Sequence, residues 1–401
     1  MAILGDSTAP VRKKSSIILG CLGNNRYFCN LKRTKKGMKT MWMLLFMALP
    51  LAGIAYVSWH VWTLLPLANL WKWLIIALGL ACFLTLFLDL GGQLDRLPLP
   101  LARVAYAVGT SSIFVLLYLT MVFLVLDLGR LVHLVPRSWL YANGVTAVAV
   151  LGFIVTVFLC GNIHYYNKVR VPLSLKTDKP LPHPYRIVMA SDLHLGYHNT
   201  RHDLARWVDM MNNEKPDLIL IAGDIIDISV RPLIEEDMAA ELRRLQAPVY
   251  ACLGNHEYYS GEPRAEQFYR DAGIHLLCDS ATMIDSALVV VGRDDRTNAR
   301  RKDMKEVMAG VDKSKYTIVL DHQPYALTWA AASGVDFQLS GHTHRGQVWP
   351  ISWITDAIYE CSWGSHRVGD TRFYVSSGLG IWGGKFRIGT QSEYVVATLE
   401  N

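Results

Sequence analysis

Charge is missing from four long stretches of this 401-residue chain. No Asp, Glu, Lys or Arg occurs from Thr40 to Trp71, from Trp73 to Leu88, from Val104 to Leu126, or from Ser138 to Asn167. Each stretch is near or above the ~18 apolar residues at which a helix can cross a hydrocarbon core. Four in succession argue against the buried helices of a large soluble protein. A cleaved signal peptide is also excluded, because the basic region ahead of the first run is too long and further runs follow. Paired cysteines are missing as well. There are seven cysteines. Cys82 and Cys160 lie inside apolar runs, and Cys252, Cys278 and Cys361 show no paired spacing. Neither a disulfide framework nor a zinc knuckle follows, which favours a reducing compartment for the C-terminal half. Finally, the basic excess is not spread over the chain. The first 40 residues hold nine Lys/Arg against Asp6 alone, a net of +8, whereas the whole chain nets +6. The remainder is slightly acidic, which excludes a basic nucleic-acid-binding face.

What is present divides the chain into unlike halves. Residues 1–39 read as a basic cytoplasmic tail, since Lys and Arg stay inside and attract anionic lipid. Met38 is an alternative start that would leave little of this tail. Residues 40–166 read as four transmembrane helices. Trp42, Trp59, Trp62, Trp71, Trp73, Trp139, Tyr141, Tyr165 and Tyr166 gather at their ends, as in an interfacial aromatic belt. Four crossings return the chain to the cytoplasmic side, where Lys168 and Arg170 agree. The short loops do not decide: Arg96 and Arg103 fall inside, Arg130 and Arg137 outside. His60, the most polar side chain within a run, is either an interfacial neighbour of Trp59 and Trp62 or a relay group.

Residues 167–182 read as a polar, proline-punctuated linker, and residues 183–401 as a globular domain. There, strands and helices alternate. Arg186–Ala190 is an apolar strand ending at Asp192. Thr200 and Asp203 make a capping box ahead of Leu204, Trp207, Val208 and Met211 on one helical face. Leu218–Ala222 ends at Asp224, and Val249–Leu253 ends at Asn255. Tyr316–Leu320 precedes His322, and Phe337–Ser340 precedes His342. Phe373–Ser376 and Tyr394–Leu399 read as strands completing a second sheet. Each polar cluster follows the C-terminal end of a strand, the edge at which open α/β sheets bind ligands.

The clusters are Asp192-Leu193-His194, Gly223-Asp224, Gly254-Asn255-His256, His322 and Gly341-His342-Thr343-His344. Such residues suit two divalent cations sharing one carboxylate. A phosphodiester resists water because it is anionic and its leaving group is poor. Paired cations generate hydroxide near neutral pH and neutralise charge on the attacked and leaving oxygens. A mixed nitrogen and oxygen shell favours Mn, Fe or Zn over Ca.

In order and spacing, these five blocks resemble the calcineurin-like metallophosphoesterase family, over residues 183–400. The resemblance implies a four-layer αββα sandwich, here preceded by an all-α transmembrane region. It implies that Asp192, His194 and His344 hold one metal, that Asn255, His322 and His342 hold the other, and that Asp224 bridges them. Mn is the expected metal, with Fe and Zn as alternatives. His256 would contact phosphate and protonate the leaving oxygen, a role suited to an imidazole, with Asn255 beside it. Asp227 either supports a ligand histidine or caps a helix. Glu257 and Arg345 either support ligands, bind substrate phosphate or form surface ion pairs.

Gly341–Gln347 and Gly254–Gly261 further resemble a membrane-anchored subgroup, some of whose members hydrolyse UDP-2,3-diacylglucosamine in lipid A biosynthesis. Near Ser377 that subgroup implies an arginine that is absent here, leaving Lys385 or Arg387 to supply the cation. Val348–Tyr359, with Trp363 and Trp382, is an aromatic, apolar stretch just after His344. It either dips into headgroups and cradles an acyl chain, or packs as core or lid. The expected partners are therefore the bilayer of the cell's inner membrane and a lipid-linked phosphate at its cytoplasmic face, without nucleic acid. The alternatives are the same chemistry on a cyclic nucleotide or phosphoprotein, or a non-catalytic membrane scaffold.

Overall fold

The computed structural model describes residues 48–401. The basic tail over 1–39 and the first residues of the first apolar run lie outside them. The chain divides into two units, Met1–Trp59 and His60–Asn401. Of the first, residues 48–59 are described and are helical. The second opens with helical residues 60–64.

Among the described residues three helices are long and apolar enough to cross a membrane: α1 (Asn69–Leu84), continued by a 3-10 segment over Thr85–Gly92, α2 (Leu99–Leu131) and α3 (Gly144–Tyr166). Leu124, Val125, Leu128, Val145, Val148, Leu151 and Val155 are exposed on them. Apolar surface on that scale needs an apolar solvent. His60 is buried, stacked on Phe123 and 3.1 Å from Asp127.

Two six-stranded sheets follow; besides the strands of the site they contain β1 (Lys168–Lys176), β5 (His275–Leu276), β6 (Ser280–Ile284), β7 (Leu288–Gly292), β10 (Gly364–Val368), β11 (Thr371–Val375) and β12 (Ser392–Glu400), in the orders β1-β12-β2-β3-β4-β5 and β10-β11-β9-β8-β7-β6. The strands that matter to the site are β2 (Tyr185–Ala190), β3 (Leu218–Ala222), β4 (Val249–Cys252), β8 (Tyr316–Leu320) and β9 (Phe337–Ser340). Within each sheet these run parallel. Their near-continuous Val, Ile and Leu reflect burial on both faces. The inter-sheet core includes Ile187, Met189, Leu220, Ile318, Leu320 and Leu339. Outside the first sheet pack α4 (Arg201–Asn213), α5 (Arg231–Glu235), α6 (Met238–Leu242), α7 (Asn255–Tyr259) and α8 (Glu262–Asp271). Outside the second pack α9 (Met304–Val307) and α10 (Leu327–Ala332). The four layers are those expected. The Thr200/Asp203 capping box starts α4, which buries Leu204, Trp207, Val208 and Met211.

Two expectations are corrected. The linker over 167–182 is largely β1 (Lys168–Lys176), paired in parallel with β12 (Ser392–Glu400) at the edge of the first sheet. Val169, Val171, Leu173 and Leu175 alternate with more exposed Arg170, Pro172, Ser174 and Lys176. Pro172 masked that period, yet an edge strand tolerates a proline that lacks a ladder donor. The domain therefore begins at 168, directly after α3. Of the two late strands, β11 (Thr371–Val375) does join the second sheet, but β12 inserts between β1 and β2 of the first.

The turn between α1 and α2 is fastened to the domain. Arg231 donates to the carbonyls of Asp95 (2.7 Å) and Leu97 (2.8 Å), Ser229 and Tyr197 both donate to the Asp95 carboxylate, and Arg103 pairs with Glu236 at 2.5 Å. Because Leu175 is fully buried between the sheets, Leu175→Ala should destabilise the purified protein by about 2–5 kcal/mol, read as a lowered thermal melting point. A residue in a loose linker would leave that transition unmoved.

Candidate metal centre

Five strand ends, three from the first sheet and two from the second, bring their loops together. Asp192 and His194 follow β2, Asp224 and Asp227 follow β3, Asn255 and His256 open α7 after β4, His322 follows β8, and His342 and His344 follow β9. The backbone is forced where it aims these side chains. Asp192, His194, Asp224, His342 and His344 all have positive φ, between 46° and 71°. A non-glycine residue in that region costs roughly 1–2 kcal/mol, and such strain collects at functional sites. The motif glycines answer a different demand, close approach. A side-chain carbon on Gly254 would overlap the Asp224 carboxylate, and one on Gly341 would overlap that of Asp192.

Among the described residues three groups of potential ligand atoms result: Asp192, His194 and His344; His194, Asp227 and His256; and Asp224, His322 and His342. The first and third bring together residues singled out in the sequence, and Asn255 adjoins the third through its Oδ1, 2.8 Å from His342 Nδ1. One atom, Asp224 Oδ2, lies 3.6 Å from His194 Nε2 and 3.0 Å from His322 Nε2. It faces a histidine of each of these two groups.

The donor set fits divalent cations on its hydrogen bonding alone. His322 Nδ1 lies 2.8 Å from the Ala222 carbonyl and must donate to it. Its Nε2 then faces Asp224 Oδ2 at 3.0 Å, and although burial opposes it, the charge of that carboxylate raises the ring's pKa well above the ordinary value. His194 repeats the arrangement. Its Nδ1 faces Asp227 Oδ1 at 3.2 Å, while its Nε2 faces His344 Nε2 at 3.1 Å. Nε2 atoms turned on a carboxylate and on another imidazole in a buried space require positive charge there, from protons or from metal ions.

The electrostatics agree. Burial would raise the pKa of Asp192, Asp224 and Asp227, but the surrounding imidazoles outweigh it and hold all three ionised. Burial lowers His342 to about 4 and His344 to about 3, so both offer lone pairs at neutral pH. Burial acts likewise on His194, yet hydrogen bonds to Asp192 and Asp227 and the charge of Asp224 lift it to about 10. Metal-free, His194 is thus a cation standing where a metal's charge would stand.

The surrounding residues sort themselves. Asp227 is no cap: it contacts His194 Nδ1 and also His256 Nδ1, at 3.2 and 3.3 Å. Its other oxygen accepts from Tyr106 on α2 at 2.6 Å. Sequence reasoning missed Tyr106, since nothing in an apolar run marks one tyrosine as reaching another domain. Glu257 accepts from the backbone N–H groups of Asp224, Ile226 and Gly254, fixing two ligand loops together rather than meeting substrate. Arg345 stacks on Trp363 at 4.2 Å. Neither candidate for the missing cation is free. Arg387 is fully buried and donates to the carbonyls of His344 (2.7 Å), Ser377 and Gly380. Lys385 pairs with Asp203 at 2.8 Å.

A model of the calcineurin-like phosphoesterase family matches residues 185–346, which hold all five blocks. A metallophosphoesterase of Aquifex aeolicus is 34% identical over 57% of this chain and 90% of its own length. The chain belongs to the metallophosphoesterase family. Metallophosphoesterases of Campylobacter jejuni (28% identical) and zebrafish (30% identical) match 58% and 52% of the chain. The latter is a transmembrane protein with a metallophosphoesterase domain. This chain spans 65% and 51% of those two relatives. Family and site together make it a metal-dependent phosphoester hydrolase.

Two outcomes follow for this metallophosphoesterase. Asp227→Asn should weaken metal affinity by about 10- to 100-fold, with Tyr106→Phe weakening it less, both read by calorimetric titration. Because His194 is held protonated up to about 10 and must lose that proton to ligate, Mn²⁺ uptake should release protons, and apparent affinity should rise with pH. Titrations in buffers of different ionisation enthalpy measure the release, and none at pH 7 would contradict the assignment of His194.

Proposed function

We propose that the protein is a membrane-anchored two-metal phosphoesterase cleaving a phosphodiester or pyrophosphate bond of a lipid-linked substrate such as UDP-2,3-diacylglucosamine, at the cytoplasmic face of the inner membrane. Asp192, His194 and His344 would hold one ion, Asn255, His322 and His342 the other, with Asp224 between them. When bound, the ions, with Mn²⁺ preferred, supply a nucleophile near neutral pH and offset charge on the reacting oxygens. The protein supplies the rest. Asp227 orients His194 and His256, since both rings present their Nδ1 to it, His194 to a carboxylate oxygen and His256 to the main-chain carbonyl at 3.1 Å as well. With both of its nitrogens protonated, His256 would give the Nε2 proton to the departing oxygen.

The observation that carries the lipid reading is a cleft of about 540 Å³ beside His256. One wall is catalytic: Tyr259, Ser260 and Arg264, with Ile228 and Ser229. The other is Gly92, Leu94 and Asp95, from the turn between α1 and α2. A leaving group entering there is gripped partly by the membrane module. Arg264 gives it an anion-binding group, and Leu94 and Ile228 give it apolar contact.

The purified protein should cleave an activated aryl phosphodiester with Mn²⁺, and Asp224→Ala or His194→Ala should abolish turnover. His256→Asn should cost about 10²- to 10⁴-fold with an alkyl leaving group and much less with p-nitrophenolate, which needs no proton. In one preparation, kcat/KM for a diacylated nucleotide sugar should exceed that for its deacylated counterpart. Equal values would move the assignment to a soluble substrate.

A further inference from the structure

The catalytic domain presents an apolar helix that the site does not use. This is α11 (Ile351–Ile358), which begins a few residues after His344. Trp353, Ile354 and Ile358 are 64%, 56% and 62% exposed, and Trp349 just before it is 38% exposed. Its level relative to α2 and α3 can be measured along those two helices.

At the far end of the bundle, away from the catalytic domain, Arg130 and Arg137 stack on Tyr141, and Lys72 bonds to the Trp62 carbonyl and lies over the Trp62 ring. Charged and aromatic groups in such pairs mark a membrane–water boundary. From Arg130 back to Tyr118 on α2 is about 18 Å of helix, and from Gly144 forward to Phe158 on α3 about 21 Å, at ~1.5 Å per residue. At those points the helices already meet the catalytic domain. Tyr118 donates to the Trp349 carbonyl at 2.6 Å, and Phe158 packs edge-on against Phe386.

A hydrocarbon core of about 30 Å therefore extends roughly 10 Å beyond that level. On α2 it ends near Thr110, and on α3 near His164 and Tyr165. Both helices give the same boundary, because the level of Thr110 and of Asn162 is that of Gly383–Lys385. There Asn162 donates to the Lys385 carbonyl at 2.9 Å, and Lys385 Nζ reaches Tyr166 OH at 3.3 Å, a basic and aromatic pair suited to the near interface. Trp349 and Phe386 lie on the hydrocarbon side of that pair. Helix tilt would only carry the boundary further along the helices toward the domain.

We infer that α11 is a membrane-seated helix: Trp349, Trp353, Ile354 and Ile358 rest among the acyl chains of the leaflet nearest the catalytic domain. The inference rests on the reading that α1 to α3 span a bilayer, and it adds that the catalytic domain itself enters the bilayer beside His342 and His344. Depths of about 5–10 Å are those of interfacial helices. Seated so, the rim of the metal centre opens at the leaflet surface, and a substrate need not withdraw its acyl chains from the membrane to place its phosphate.

The test uses the full chain reconstituted in phosphatidylcholine vesicles, with a fluorescent amino acid placed singly at Ile354, at Leu151 on α3, or at Trp329, which is 63% exposed on α10. Quenching by lipid brominated at mid-chain is compared with quenching by aqueous iodide. At 354, lipid quenching should fall within about twofold of that at 151, and iodide quenching several-fold below that at 329. If 354 responds like 329 while 151 responds to lipid, α11 is in water and the inference fails with the spanning reading intact. Protection of 354 from both quenchers means that protein covers the helix, a second copy included, and also overturns it. Absence of lipid quenching at 151 itself overturns the spanning reading and the inference with it.

Discussion

Buried imidazoles and carboxylates that need positive charge among them are what the rest of the structure is organised around. His322 and His194 spend their Nδ1 hydrogens on a carbonyl and a carboxylate, which turns both Nε2 atoms toward Asp224 and, for His194, toward another imidazole. Nothing apolar could fill that volume, and without metal the neighbouring carboxylates hold protons on His194 and His322. Two sheets packed face to face must present their strand ends along one rim to create it, because three of the loops come from one sheet and two from the other. Five residues must sit at positive φ to point inward. The strain is offset by the large inter-sheet core beneath, while metal binding adds stability to the folded state only.

The same site is tied to the membrane bundle by short polar contacts. Tyr106 on α2 holds Asp227, and Asp227 holds both a ligand histidine and the proposed proton donor. Asp95, Ser229 and Arg231 fasten the turn before α2, and β1 continues directly from α3 into the first sheet. Such contacts make the helices more than a tether. They set the orientation of His194 and His256 and supply one wall of the cleft.

Much of this was legible in the residue order. Alternating strands and helices, and polar clusters placed directly after apolar strands, pointed to the sheet ends and to the candidate residues, while the division of those residues between two ions came from the family resemblance. The alternation of Val169, Val171, Leu173 and Leu175 was equally present but was masked by Pro172, whose meaning depends on whether its strand lies at an edge. Arg387 and Lys385 illustrate a harder limit. As free side chains either would suit a phosphate. Their commitment to carbonyls around His344 and to Asp203 arises only once chain segments far apart in sequence are packed together.

The sequence alone determined the local facts: which stretches avoid charge, which residues end strands, and which side chains offer metal-seeking atoms. These follow from composition and period, which act over a few residues. Tertiary structure decided everything that depends on distance between remote residues: the approach of Asp224 to both His194 and His322, the reach of Tyr106 into the site, the place of β12, and the contact of Trp349 with Tyr118 on α2. No local rule encodes these, because each is fixed by how two sheets and a helical bundle close-pack against one another.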